Sequence, residues 1–390
     1  MIGLNYPSQY LMREPVPFRW LGKSLFKNLV LLLRIQSGQF SCAVALFLSL
    51  FLPAFGIAAN AHAATCLRGI NIAGAEFGSL PGVYGQQFIY PTDKTLDHFA
   101  ALGVNTVRFP FRWERLQNSL HGPFNKAELG RLIDVVDRMT KRGMTVVLSP
   151  HNFAEYGLHK IGSGDVTVAA FADFWAQLAP FFANKDNVIY LLMNEPVEIT
   201  AADWLEATNA AISAIREAGA NNLIMVPGTL WTGAIHWFDQ QDGGSNAQVM
   251  KNVIDPLQNY TFDIHQYLDE NFSGTNLTCP RVNDALNALR GVEKWFRDNG
   301  YTGFLGEFGG TKSSDCLQGL AEVVLYLNRN NDVWLGWTAW AAGEWWGDYY
   351  LSLQPTEAGD QPQTKLLSAY WQPFDQRQIN CTPLEQPVAK

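Results

Sequence analysis

The chain has 390 residues, with 28 Lys and Arg against 36 Asp and Glu, a formal net charge of −8 and 47% hydrophobic residues. That apolar share supplies a sizeable core, and the acidic balance argues against nucleic acid or an anionic membrane as partner and suits a neutral substrate. Five cysteines without a Cys-x-x-Cys pair or a His/Cys cluster at zinc spacing give no expectation of a metal site.

Residues 1–63 read as a leader. Arg13, Arg19, Lys23, Lys27 and Arg34 precede an apolar stretch from Cys42 to Ala59, and Ala61-His62-Ala63 then forms a small-x-small cleavage pattern. Cleavage is expected after Ala63, with Ala61 the next choice. The basic region is long for a secretory signal, which makes Met12 a candidate start. Residues 40–59 are almost long enough to span a bilayer, so an anchor retained in the cell envelope is the alternative. The leader holds one acid, Glu14, so the body left after cleavage is more acidic than the whole. The expectation is a secreted monomer whose single catalytic domain is residues 64–390, without stable membrane association.

The body alternates strand-like and helix-like segments. Strand Leu67–Ala73 precedes helix Thr92–Leu102. Strand Asn105–Phe109 precedes helix Lys126–Arg142, and strand Thr145–Ser149 precedes helix Val166–Asn184. Strand Val188–Met193 precedes helix Ala201–Ala218. After strand Leu223–Pro227 comes an irregular stretch, Trp231–Val253, with Asp242-Gly243-Gly244-Ser245 inside it. Strands Thr261–His265 and Gly303–Gly306 are each followed by a helix, Val282–Asn299 and Ser314–Asn328. Strand Trp334–Ala339 and a last helix near Thr364–Trp371 complete the series. Gly103, Gly143, Gly219 and Gly300 fit helix C-caps. Eight strands, about 30 to 45 residues apart, have the period of βα units. The predicted fold is α/β, one (β/α)8 TIM barrel.

In such a barrel the C-terminal strand ends share one rim, where catalytic groups gather. Strand two ends near Arg108, strand three with His151-Asn152 and strand four with Asn194-Glu195. Strand five leads to Trp231, strand six gives His265 and Tyr267, strand seven ends at Glu307 and strand eight at Trp340. Two carboxylates closing buried strands are costly unless they work. A pair of them is what acid/base chemistry on a glycosidic bond requires. Taken singly, each of these residues has an ordinary reading, as a core histidine, a turn acid or a surface ion pair; the set in strand order does not. Of the 13 Trp, Trp175, Trp204 and Trp295 fall inside helices and read as core. Trp113, Trp231, Trp340, Trp345 and Trp346 lie on rim-side segments and are candidates to stack on sugar faces.

Beyond the leader the cysteines are Cys66, Cys279, Cys316 and Cys381, an even count that reads as two disulfides in an exported chain. Three pairings are open. Cys279 with Cys316 is favoured because both lie in segments flanking the Glu307 strand, which leaves Cys66 with Cys381.

At these residues the chain resembles glycoside hydrolase family 5. The motifs are Arg68-Gly69-Ile70-Asn71, Thr106-Val107-Arg108-Phe109-Pro110, His151-Asn152, Leu192-Met193-Asn194-Glu195-Pro196, His265-Gln266-Tyr267, Gly306-Glu307-Phe308-Gly309 and Trp337-Thr338-Ala339-Trp340-Ala341. Gly69-Ile70-Asn71-Ile72-Ala73-Gly74 and Tyr267-Leu268-Asp269 are most similar to the endo-β-1,4-glucanases of that family, and Cys279 and Cys316 fall where such cellulases carry a disulfide. The resemblance implies a retaining hydrolase of β-glucan polysaccharide with no cofactor. It implies that Glu195 is the acid/base and Glu307 the nucleophile, that Arg108 and Tyr267 hold the nucleophile, that His151, Asn194 and His265 line the site of bond cleavage, and that Trp340 is a sugar platform. Mannan, xyloglucan or mixed-linkage glucan are the alternative substrates on the same machinery. A non-catalytic carbohydrate-binding barrel would be expected to lose one carboxylate, and both are present.

The chemistry needs one carboxyl to begin protonated and the other ionised. The sequence places apolar neighbours beside Glu195, and it offers Arg108 and the Tyr267 hydroxyl to keep Glu307 ionised.

Overall fold

The computed structural model describes residues 66–371; the leader and Cys381 lie outside them. Its strands are β1 (Leu67–Ile72), β2 (Thr106–Phe111), β3 (Thr145–Pro150), β4 (Val188–Leu191), β5 (Ile224–Pro227), β6 (Tyr260–His265), β7 (Gly303–Glu307) and β8 (Trp334–Ala342). All eight pair in parallel with their chain neighbours, and β8 pairs with β1 to close the barrel. The predicted (β/α)8 barrel is the observed one.

Polar caps start the helices that cover it. In α1 (Asp93–Ala101), α3 (Val168–Leu178) and α4 (Ala201–Glu217), the preceding Thr92, Thr167 or Thr200 hydroxyl accepts from a first-turn N–H. In α2 (Lys126–Thr140), Asn125 does the same. The later helices are α5 (Val282–Asn299), α6 (Ser314–Arg329) and α7 (Pro362–Trp371). Gly103, Gly143, Gly219 and Gly300 all adopt positive φ, as the cap reading expects. The third helix is shorter than predicted. Thr167 caps its start, and Pro180, which has no N–H to give, sits in a 3-10 turn that follows Leu178. The fifth unit has no long helix, only short turns at Ala234–His236, Asn246–Val249 and Met250–Asn252.

Strand alternation sorts the core into two. Leu67, Val147, Ile189, Leu191, Leu223, Met225, Phe304 and Leu335 cluster as one apolar plug. Residues of opposite parity, such as Val146, Leu148, Val188, Tyr190, Ile224 and Val226, join the larger core with the helices. Toward the C-terminal strand ends polar groups are buried instead: Asn71, Arg108, Asn194, Asp263, Glu307 and Thr338. Arg108 sits mid-strand in β2, in register with Asn71, and not at the strand end as the sequence suggested. Its side-chain length carries the guanidinium to the rim.

Trp175, Trp204 and Trp295 are core, as expected. Trp113 is not a rim platform. It is fully buried, 5.1 Å from the Tyr156 ring and 5.2 Å from Phe174, and its Nε1 donates to Gln117. The chain after β2 makes a helical turn at Trp113–Leu116, and the indole packs inward under a small hairpin, Glu155–Tyr156 with His159–Lys160. Cys279 and Cys316 form a disulfide. It ties the loop after β6 to the start of α6. The pairing of Cys66 with Cys381 involves a residue outside the described range. Among the described residues no helix is long and apolar enough to cross a membrane.

Candidate active site

Glu307 closes β7 with both carboxylate oxygens engaged. Arg108 Nη1 donates to Oε1 at 2.6 Å, and the Tyr267 hydroxyl donates to Oε2 at 2.9 Å. The guanidinium is fixed in turn, because Nη1 also reaches Asn71 Oδ1 at 2.8 Å and Nη2 reaches Asn194 Oδ1 at 2.6 Å. Asn71 is oriented by its amide, which donates to the carbonyls of Gly306, Thr338 and Ala339. Tyr267 is held by the loop behind it. A Cβ on Gly274, at φ 71°, would lie 2.6 Å from the phenol ring, so the loop packs there only as glycine.

Burial pushes the Glu307 pKa up. The His265 and Arg108 charges pull it down, Glu195 pushes it up, and the Tyr267 bond pulls it down. The balance lies above the ordinary carboxylate value. The sequence reading weighed Arg108 and Tyr267 but not this desolvation, which acts in the opposite direction.

Glu195 is held differently. Its backbone is left-handed, with φ 44°, a conformation that non-glycine residues adopt sparingly and mainly at functional positions. Among the described residues its carboxylate has one side-chain hydrogen-bond partner, His265 Nδ1 at 2.7 Å, and its side chain keeps 16% exposure against 5% for Glu307. His265 is surrounded by acid. Nε2 lies 3.2 Å from Asp263 Oδ2, and Nδ1 lies 3.8 Å from Glu307 Oε2. Burial opposes its charge, but Glu307, the Asp263 carboxylate close to Nε2 and the bond to Glu195 outweigh burial and raise the pKa to about 10. His151 goes the other way. Burial, and then the charges of Arg108, Arg112 and His265, hold it well below its ordinary value, so it is neutral. Its ring stacks on Trp340 with centroids 5.8 Å apart and planes 21° apart, and its Nε2 lies 3.5 Å from Asn194 Nδ2.

The structure therefore brings Arg108, His151, Asn194, Glu195, His265, Tyr267, Glu307 and Trp340 together. Asn152 is not among them. Its amide donates to Glu114 Oε2 at 2.6 Å and its carbonyl accepts from the Trp113 N–H, so it fastens the loop after β2 and does not face the acids. Trp231 stands 47% exposed in a run of three left-handed residues, Leu230, Trp231 and Thr232. Its N–H donates to the Pro196 carbonyl, which fixes it beside Glu195. Trp346 is half-buried on Tyr349 at 4.3 Å and edge-on to Trp340, and Trp345 is half-buried against the core.

Two residues were missed as site residues. Asn71 was read only as part of a motif. Asp263 lay unread inside an apolar strand, although a charged residue two positions before His265 shares its face. The structure also gathers donor atoms of Glu195, His265 and Glu307 within 4.8 Å of one another, a cluster that sequence spacing did not reveal. Within it His265 Nδ1 stands at ion-pair distance from both acids, 2.7 Å from Glu195 Oε1 and 3.8 Å from Glu307 Oε2.

The family profile described as cellulase (glycosyl hydrolase family 5) matches residues 61–343. The chain belongs to this family. Among relatives of this family 5 hydrolase is endo-beta-1,4-glucanase A of Emericella nidulans, 38% identical over 308 residues, which covers 78% of this chain and 91% of the relative. The crystal structure of an endo-beta-1,4-glucanase from Xanthomonas axonopodis pv. citri aligns with TM-score 0.77 at 40% identity, over 78% of this chain and 98% of that one. An endoglucanase of Pseudomonas stutzeri, crystallised in complex with cellobiose, aligns with TM-score 0.71 at 31% identity over 83% and 96%.

Proposed function

We propose that this family 5 hydrolase is an exported endo-β-1,4-glucanase that cleaves internal bonds of cellulose or related β-glucans by double displacement. The observation that carries the roles is the unequal footing of the two glutamates. Glu307 is clamped from two sides by Arg108 and Tyr267, which suits a carboxylate that must stay ionised and aimed. Glu195 faces the cleft with one side-chain partner, which suits a group that gives and takes a proton. Glu195 passes its proton to the leaving glycosidic oxygen while Glu307 bonds to the anomeric carbon. Glu195 then takes a proton from water, which displaces Glu307 with net retention. The approach of the two carboxylates to within 4.8 Å supports this, because retaining pairs stand about 5–5.5 Å apart.

The Asn194 amide is poised to donate to the sugar 2-hydroxyl, and neutral His151 offers polar contact without a competing charge. Trp340 supplies a sugar platform at the cleavage site, and the exposed Trp231 supplies one on the Glu195 side. The names of the relatives and the cellobiose complex of the Pseudomonas stutzeri enzyme support a β-1,4-glucan substrate. The leader at residues 1–63 and the disulfide support export; a secreted protein beginning at Ala64 by N-terminal sequencing is the expected outcome. The substrate is tested on carboxymethylcellulose, barley β-glucan, xyloglucan and mannan with product lengths measured. Fastest turnover of the first two with mixed oligosaccharide products is expected. Preference for mannan or xyloglucan, or single-size products from chain ends, would contradict the assignment.

A further inference from the structure

We propose that Asp263 is a positioning residue that keeps His265 doubly protonated, so that the mobile proton of the site resides on Glu195. The proposal rests on the reading of Glu195 as the acid and adds what sets its protonation.

Asp263 is fully buried, and its Oδ2 lies 3.2 Å from His265 Nε2. Among the described residues neither carboxylate oxygen, nor His265 Nε2, has an aligned hydrogen bond, so the contact is an ion pair. A buried carboxylate with so little support is costly, and among the described residues its one ion-pair partner is the imidazole that holds Glu195. The fold makes room for it. A Cβ on Gly306 would lie 2.2 Å from Asp263 Oδ1 and 3.1 Å from His265 Nε2, so β7 passes this point only as glycine. The Asp263 carbonyl accepts from Thr232 Oγ1, which fixes the strand.

Charged and titratable groups reach the His265 surroundings from four other strands as well as its own. Glu195 follows β4, Glu307 ends β7, and Arg108 comes from β2; His151 follows β3 and Tyr267 follows β6. With the proton on Glu195, the anions Asp263 and Glu307 balance the cations Arg108 and His265, so this set of groups is neutral. When Glu307 has become a glycosyl ester and Glu195 has given its proton to the leaving oxygen, the anions are Asp263 and Glu195 against the same two cations. The set is neutral again. Without Asp263 both states carry one surplus positive charge in a buried site. The relief is loss of a proton from the Glu195–His265 pair, which then shares the one that remains.

The sign of the pH effect follows. The folded value for His265 is raised from 6.5 to about 10. Its contribution to stability is therefore fully present below pH 6.5 and lost as pH rises through about 10.

The test is a titration of the His265 imidazole nitrogens by NMR in the wild type and in Asp263→Asn, with kcat/KM against pH on barley β-glucan and on 2,4-dinitrophenyl β-cellobioside, whose leaving group departs without a proton. Wild-type His265 should carry both protons at about pH 8. In Asp263→Asn it should titrate at least about one pH unit lower, tenfold in proton affinity, and the alkaline limb on β-glucan should shift the same way. Turnover of β-glucan should fall at least tenfold more than that of the dinitrophenyl substrate. A neutral wild-type His265 at that pH, an unmoved titration in a folded variant, or equal loss on both substrates would overturn the proposal. If that variant does not fold, Asp263→Ser takes its place with the same expected shift, and an unmoved titration there overturns the proposal. Full β-glucan activity in Glu195→Gln would instead sink the acid assignment and leave the His265 titration standing.

Discussion

Arg108 carries three jobs on one guanidinium: it aims Glu307, holds Asn194 and is itself oriented by Asn71. Removing it leaves Glu307 Oε1 and two amide carbonyls without their Arg108 donor and takes away the cation that pairs the buried carboxylate. Arg108→Ala is expected to cost about 3–5 kcal/mol of stability and to abolish turnover, as read by urea unfolding and kcat/KM. Loss of less than about 1 kcal/mol would mean that the pair is not buried as described. Arg108→Lys should rescue little, because a single ammonium cannot bond Glu307 and Asn194 with separate, fixed N–H groups. Legibility at this scale followed polarity against an apolar background. Arg108, Glu195, Glu307 and His265 stand out in or beside apolar runs. The place of Asn152 next to His151 does not say which way its side chain turns, and the structure turns it to Glu114 and the Trp113 N–H. Asp263 was passed over because strands were read by what they end with, and it sits within one.

At the scale of elements, apolar runs and cap residues were enough to find all eight strands and the long helices. What the sequence left out are features set by neighbours. β2 runs on through Pro110 and Phe111 because β3 pairs with it as far as Pro150, and β8 runs on to Ala342 beside β1. The hairpin at Glu155–Lys160 depends on contacts from another segment, with Glu114 accepting the Gly157 N–H and Gln117 accepting the Tyr156 hydroxyl. The Cys279–Cys316 bridge belongs to this scale. It closes a separation of 37 residues, for which the loop-entropy estimate is about 3–4 kcal/mol. The double variant Cys279→Ala, Cys316→Ala should unfold at lower temperature by a corresponding amount in calorimetry and keep its turnover when cold. An unchanged melting temperature would show that the bridge adds nothing to the fold.

Across the whole molecule, an acidic single-domain barrel gathers its chemistry on one rim, and eight segments far apart in sequence supply the site. Each contributes one to three side chains, which is why the sequence could name most of them in strand order but not their partners. The hydrogen bonds of Arg108, Tyr267 and His265 give two equivalent-looking glutamates unequal surroundings, on which the proposed roles of nucleophile and acid/base rest. The central claim is a double displacement through a glycosyl ester on Glu307. Its most direct measurement is the configuration of the first product released from a β-linked cello-oligosaccharide, followed by proton NMR before mutarotation. The β-anomer should appear first and the α-anomer grow in later. An α-anomer at the outset would contradict the account.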